Sequence, residues 1–310
     1  MEEVASLEGA VKDYGPKRIG PITFSVTGGD IMGFLGPNGS GKSTTIRMLL
    51  GLIRPSSGRV RLMQMDPLRD HARALAGVGY SPELPNLQSF LTPRELLHLM
   101  AKVIGLRGRE AESDAFRLLE RVGLTEYADY RIAKLSKGMI QRLSIAQAMV
   151  GSPRFLILDE PTIGIDPGGV VHFRSVFRDF AKEGGTVIMS SHILSEVESL
   201  CTSLAVIHSG RLLFRGGIEE FIMKGLGTRS ITIQAENVGS GLVSALSEMK
   251  GVTRVTMNAT GFVVETAKGS DPRAEISKLV VESGARLLSM GYSRNELHEA
   301  YVNLVRGMAE

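Results

Sequence analysis

The stretch GFLGPNGSGKSTTIRM, Gly33 to Met48, places four glycines and a lysine where a buried strand should turn into a helix. Ahead of it DIMGFL is a short apolar run of strand length, and behind it Ile46, Leu49, Leu50 and Ile53 recur at helical spacing. Gly36 followed by Gly41, Lys42 and Ser43 fits a loop whose backbone N–H groups point inward while the helix dipole adds positive potential. Bare backbone suits an anion wrapped by a loop, because side chains would block its approach. In such a loop Lys42 reaches the β- and γ-phosphates of a nucleotide and the Ser43 hydroxyl sits on Mg²⁺. An ordinary glycine-rich turn is the alternative, and the rest of the chain weighs against it.

A second apolar run, FLILDEPTIGIDP from Phe155 to Pro167, ends its strand in two carboxylates, Asp159 and Glu160. Adjacent acids at the end of a buried strand are costly unless a cation or a proton donor meets them. In a nucleotide site both have a use: Asp159 holds Mg²⁺, usually through water, and Glu160 polarises the attacking water as general base. A strand-end turn in which the acids cap the next helix is the competing reading. KLSKGMIQRLSIAQAMVGSP, Lys134 to Pro153, puts Ser136 at a helix N-cap position with a glycine, Gly138, close by, another helix start receptive to anions. A plain N-cap on an amphipathic helix fits as well, with Ile140, Leu143, Ile145 and Met149 at core positions; the two readings are compatible.

The flanking sequence supplies the architecture. Residues 1–85 read as short strands, PITFSV, DIMGFL, GRVRLM and GVGYSP, separated by the turns TGGD, RPSSG and MDPL. Near residue 90 the pattern becomes helical. LTPRELLHLMAKVIG has Thr92 as N-cap, Pro93 at the first helical position and Glu95 at the third, a capping box, with Leu96, Leu99, Met100 and Val103 expected on one face. Further helices are expected from about Ala111 to Val122 and from near Lys137. Then FLILDE, TVIMSS and SLAVIHSG alternate with helical stretches, as in a parallel sheet covered on both faces. Beyond RGGIEEFIMKG the chain reads βαββαβ followed by a last helix, ELHEAYVNLVRG, which suggests a small ferredoxin-like α+β unit with no chemical motif of its own.

At 310 residues, 43% apolar and 22% charged, the chain suits a globular protein of two domains. No apolar run approaches the ~18 residues of a membrane span, and the acidic, polar start MEEVASLEGAVKDYG is unlike a signal peptide, so a cytosolic chain is expected unless a partner holds it at a membrane. The single cysteine, Cys201, suits a reducing compartment and reads as a small buried hydrophobe. Residues 220–310 carry 10 basic and 10 acidic residues against 26 and 23 in the remainder, without the basic excess of a nucleic-acid binder.

These motifs together carry a resemblance. GPNGSGKS, LSKGM, FLILDE, TIGIDP and His192 in TVIMSSH resemble, in the family's order, the Walker A, signature, Walker B, D-loop and switch histidine of the ATP-binding subunit of an ATP-binding cassette (ABC) transporter, over about residues 1–220. The resemblance implies an α/β fold: a P-loop NTPase (RecA-like) core with a helical subdomain, about residues 88–150, and an antiparallel β-subdomain, here followed by the accessory α+β unit at residues 221–310. It implies an ATPase using ATP and Mg²⁺ that works as a head-to-tail dimer, with two ATP molecules between the Walker A of one protomer and the signature of the other.

Carried over by position, Gly36, Pro37, Asn38, Gly39, Ser40, Gly41, Lys42, Ser43 and Thr44 would wrap the phosphates. Glu160, His192 and Lys42 would form the catalytic set, His192 on the γ-phosphate. Ser43, Asp159 and Glu83 would hold the metal. Ser136 and Gly138 would meet the γ-phosphate from the opposite subunit, Asp166 would link the two sites, and Tyr14 would stack on adenine. A turn tyrosine at the solvent edge is the alternative for Tyr14, and the other five histidines read as structural.

The sequence departs from the family pattern at Lys137 and Met139 in the signature, and at Glu83 in GYSPEL, where a glutamine is usual. Glu83 could still ligate Mg²⁺ but brings a negative charge near the γ-phosphate. These forms and the C-terminal extension resemble stand-alone ATPases of drug, antibiotic or lipid exporters. That implies a separate integral membrane permease as partner, a second copy or a related ATPase subunit, no nucleic acid, and a place on the cytoplasmic face of the membrane. A soluble ABC ATPase of DNA repair or translation is disfavoured, because Lys42 and Ser136 are only 94 positions apart and the chain holds one cassette. A regulatory ATP-binding module without turnover is disfavoured by Glu160.

Overall fold

The computed structural model describes residues 2–258, 261–267, 270–293 and 296–306, and the chain divides after Gly216 into two compact units. The first begins with β1 (Glu3–Asp13), β2 (Arg18–Thr27) and β3 (Ile31–Leu35), the last buried at all five positions. The glycine loop and α1 (Lys42–Leu49) follow, then β4 (Ser57–Leu62), the short α2 (His71–Leu75) and β5 (Val78–Ser81). The sequence expects no strand ahead of PITFSV. Instead β1 is the central strand of an antiparallel sheet ordered β2-β1-β4 and buries Ala5, Leu7, Ala10 and Val11. Its pairing with β2 shifts register between Leu7 and Ala10, which breaks the two-residue alternation that would have revealed it.

Three helices follow, α3 (Pro93–Val103), α4 (Arg109–Arg121) and α5 (Lys137–Ala148). The expected capping box is present: the Glu95 N–H donates to Thr92 Oγ1 and the Thr92 N–H to Glu95 Oε2. The expected apolar face of α3 is corrected. Leu96 is buried, but Leu99 and Val103 are exposed at 44% and 72% and Met100 is half-buried, while Leu97 and Ala101 turn inward. On α5, Leu143, Ile145 and Met149 are in the core and Ile140 is half-buried.

The unit closes with β6 (Phe155–Asp159), α6 (Pro167–Lys182), β7 (Thr186–Ser191), α7 (Leu194–Leu200), β8 (Ser203–His208) and β9 (Arg211–Gly217). Its main sheet runs β5-β6-β7-β3-β8-β9, and the pairs β5·β6, β6·β7, β7·β3 and β3·β8 are parallel. Register aligns the strand ends: Leu35 stands opposite Ser191, and Asp159 opposite Ser190. The glycine loop, the two acids and the histidine therefore leave the sheet side by side at its carboxyl edge, where open parallel sheets bind ligands.

The second unit contains α8 (Ile218–Leu226), β10 (Arg229–Glu236), α9 (Ser240–Ser247), β11 (Val252–Asn258), β12 (Gly261–Thr266), α10 (Arg273–Glu282), β13 (Arg286–Tyr292) and α11 (Glu296–Arg306). Its sheet, β11-β12-β10-β13, is antiparallel throughout, the strand order of a ferredoxin-like βαββαβ unit. Ile231, Ile233, Phe262, Val264, Ile276 and Val280 form its core. The expected last helix ran to Gly307, which lies outside the described residues.

Candidate active site

The glycine loop owes its glycines partly to close packing rather than to an anion. A Cβ on Gly36 would lie 2.2 Å from the Ile207 carbonyl oxygen, and Gly41, the N-cap of α1, has φ 113°, where a side chain would also strike Ile19. Gly39, at φ 77°, is less crowded, with Lys17 Nζ 3.8 Å from where its Cβ would be. At its N-terminus α1 carries no acidic residue in the first turn and no side-chain cap, so its N–H groups and dipole face outward uncompensated. Beside them is a cavity of 320 Å³ lined by Lys17, Asn38, Gly39, Gly41, Lys42, Ser43, Thr44, Glu83 and Glu160. A larger cavity, 510 Å³, bordered by Arg117, Arg121 and Phe180, contains none of the candidate site residues.

The two strand-end carboxylates are held in different ways, and of the two Glu160 lines the cavity. Asp159, 1% exposed, accepts a 2.6 Å hydrogen bond from Ser190 Oγ. Its charge, after burial, is the second cause holding the Tyr80 phenol above its ordinary pKa. Glu160 has φ 50°, a left-handed conformation costly for a residue with a side chain, fixed by its N–H donating to Ser190 Oγ at 2.8 Å. That turn sends the Glu160 carboxylate back between two cationic or protic groups: Lys42 Nζ is 3.0 Å from Oε1, and His192 Nδ1 is 2.9 Å from Oε2. Lys42, itself 6% exposed, also donates to the carbonyls of Gly36 at 2.7 Å and Pro37 at 3.3 Å. The helix-cap reading of the acids fails, because the N-cap of α6 is Asp166.

The remaining candidates lie apart from the cavity lining. Ser136 is the exposed N-cap of α5 and accepts from the Met139 N–H at 3.3 Å. A Cβ on Gly138 would approach the Gly164 carbonyl oxygen to 3.1 Å, so the signature turn rests on the D-loop of its own chain. Asp166 accepts from the Gly169 N–H and pairs with Arg142 at 3.5 Å. Tyr14 is half exposed in the turn after β1, with Lys12 Nζ 5.5 Å from its ring centre. Cys201 is buried, and burial pushes its thiol pKa far up, as befits a core residue.

Sequence reasoning missed Lys17 and Ser190. Lys17 gives no local signal. Ser190 could have been noticed as one of two serines that follow the apolar run of the strand TVIMSS, which runs beside the two acids.

Residues 19–163 match the family model described as ABC transporter. Over 309 residues the chain is 34% identical to the bacitracin transport ATP-binding protein BcrA of Bacillus licheniformis, covering 99% of both chains. It is 33% identical to the linearmycin resistance ATP-binding protein LnrL of Bacillus subtilis, covering 96% of each. A solved structure described as the ATP binding subunit of an ABC transporter superposes with a TM-score of 0.66 at 29% identity, over 70% of this chain and 91% of that one.

Proposed function

The chain belongs to the ABC transporter family as an ATP-binding, ATP-hydrolysing subunit, and from that premise we propose how its own residues divide the work. Residues 1–220 form the motor and residues 221–310 an accessory domain. Gly36 to Thr44 wrap the phosphates, with the uncapped start of α1 supplying positive potential. Lys42, now shared between loop carbonyls and Glu160, turns to the β- and γ-phosphates as they compete for it. Glu160, relieved of the lysine, polarises the attacking water, and His192 steers both Glu160 and the γ-phosphate.

The residues present suit Mg²⁺. Ser43 and Glu83 line the cavity and Asp159 ends the adjoining strand, an all-oxygen donor set. Among the described residues no three His, Cys, Asp or Glu converge as a protein metal cage, which matches an ion held largely by nucleotide oxygens. When bound, Mg²⁺ would supply neutralisation of the β/γ charge; Ser43 and Asp159 would hold it, with Glu83 in reach. Tyr14, half exposed, has a ring face for adenine.

The observation that carries this reading is the left-handed Glu160, whose backbone is bent so that its carboxylate meets Lys42 and His192 on the cavity wall.

The names of the relatives, bacitracin transport and linearmycin resistance, support an antibiotic-like substrate, and export of a drug, antibiotic or lipid-like molecule is the direction and class this reading proposes. No helix among the described residues is long and apolar enough to cross a membrane; the relatives' names, ATP-binding proteins of transport systems, support a separate permease, beside which this subunit would sit on the cytoplasmic face. Ser136 and Gly138 do not line the cavity of their own chain, and α5 starts without an acidic residue in its first turn. A second copy or a related subunit would bring that anion-receptive start onto the γ-phosphate, with Asp166 of the D-loop at the junction.

Sedimentation decides this. The Glu160→Gln protein should dimerise with Mg-ATP and not with ADP, and adding Ser136→Arg should abolish dimerisation while leaving ATP binding by the monomer intact. A double variant that still dimerises with ATP would refute the shared site.

A further inference from the structure

Glu196 lies on α7, outside the motifs that hold nucleotide, and is 8% exposed. One of its oxygens, Oε2, accepts two hydrogen bonds from two different chain segments: Thr162 Oγ1 donates at 2.7 Å and Ser191 Oγ at 3.1 Å. Thr162 stands two residues after Glu160, and Ser191 immediately before His192. The Ser191 hydroxyl is itself anchored by the Ile193 N–H at 2.9 Å. Residues 160–165 make turn hydrogen bonds of their own, Ile163 N–H to the Glu160 carbonyl and Ile165 N–H to that of Thr162, and the Thr162 side chain ties this turn to the neighbouring segment.

We propose that Glu196 is a positioning residue that locks the loop after Glu160 to the loop carrying His192 through a single shared carboxylate oxygen. The reasoning is geometric. Glu160 and His192 face each other at 2.9 Å, and that distance depends on two separate loops that leave adjacent parallel strands at the same edge of the sheet. A shared acceptor makes the loops move together, since displacing one stretches a buried, charge-assisted bond to the other. Buried carboxylates are retained at a cost in desolvation, and this one is spent on two neutral hydroxyls rather than on an ion pair, which suits alignment better than stability. Misplacement of a catalytic group by about 1 Å can cost ~100-fold in rate. Glu196 touches neither the cavity nor the reacting atoms, so its effect should fall on kcat and spare nucleotide binding.

The inference rests on the assignment of Glu160 and His192 as the catalytic pair. The test uses the full chain and compares Glu196→Ala, Glu196→Gln, Thr162→Val and Thr162→Ser by ATPase kinetics and by equilibrium titration with Mg-ATP. Glu196→Ala and Thr162→Val should each lower kcat by about 10- to 100-fold with nucleotide Kd unchanged. The acceptor-keeping Glu196→Gln and the hydroxyl-keeping Thr162→Ser should restore most of the turnover. The double variant Thr162→Val with Glu196→Ala should be no slower than the worse single one, because both remove the same tie. Should Glu196→Ala fail to fold, the near-isosteric Thr162→Val carries the test alone. A normal kcat in Thr162→Val, a parallel loss of kcat and ATP affinity, or additive losses in the double variant would overturn the proposal. Glu160→Gln run alongside separates the two levels: if that variant turns over normally the catalytic assignment fails, whereas if it is inactive while the Glu196 and Thr162 variants are normal only this inference fails.

Discussion

Two carboxylates, one in each unit, are sealed from solvent and face a cation, and they are built to opposite ends. Glu296, 1% exposed, accepts from Arg229 Nε at 2.9 Å and from the Ser230 N–H, while Arg229 also lies 3.6 Å from the centre of the Tyr292 ring and near Glu219. Every contact there closes the cluster on itself. Glu160, 4% exposed, has Lys42 within ion-pair distance of Oε1, yet that oxygen lacks an aligned hydrogen bond, and its backbone is held in a left-handed turn beside a cavity. A buried charge left short of partners at a cavity wall is poised to take a new one. A saturated one specifies and stabilises its fold.

The sharpest break of this comparison is Glu160→Gln. The amide keeps the shape and loses the base, so turnover should fall by about 10² to 10⁴ while Mg-ATP binding persists, and the unfolding midpoint should hardly move. A near-normal kcat would remove Glu160 from the chemistry. The matching change, Glu296→Ala, should do the reverse. It strands Arg229 at 14% side-chain exposure, and breaking such a pair costs about 3 kcal/mol, the low end for buried pairs because Glu219 and Tyr292 still meet the guanidinium. Urea unfolding of the second unit should register that loss with nucleotide affinity unchanged. If Glu296→Ala instead weakens ATP binding in the folded protein, the contrast between the two clusters is false.

How much of this could be read in advance differs by element. The passage from β3 to α1 was legible because a five-residue apolar strand, a glycine loop and a helical period are all local signals, and the order of elements along the second unit, βαββαβ, follows from the same short periods. The capping box of α3 was legible to the residue, since Thr92, Pro93 and Glu95 act within one turn. Its buried face was not. Leu96 and Leu97 are adjacent, either could start the stripe, and tertiary packing chose the one through Ala101 over the one through Val103. In the site, Lys42, Asp159, Glu160 and His192 could be named from motifs, but their meeting depends on parallel register between strands far apart in sequence. The left-handed turn at Glu160 and the Ser190 hydroxyl that braces it belong to that level, as does Glu196, which no local pattern marks.

The smallest expected effect is the one that most sharpens the contrast, because it deletes one cluster altogether. A chain ending after Gly216 loses Glu296, Arg229 and Tyr292 together but retains the loop, both acids and His192. The cut should not be placed at Gly225. That chain would keep α8 without α11, although a Cβ on Gly225 would lie 2.5 Å from the Ala300 backbone and the Asn303 side chain donates to the Gly225 carbonyl at 3.1 Å. It would also uncover Phe221 and Ile222, which are 0% and 3% exposed in the whole chain, and invite association through the bared apolar face. Cut after Gly216, the first unit keeps the cavity lining intact, so ATP affinity should stay within about 0.5 kcal/mol of the full chain, the range for changes that touch no contact. Fluorescence titration with a nucleotide analogue would measure it. Loss of binding in a truncated chain that circular dichroism shows to be folded would mean that the second unit builds part of the site, and the independence of the two buried clusters would go with it.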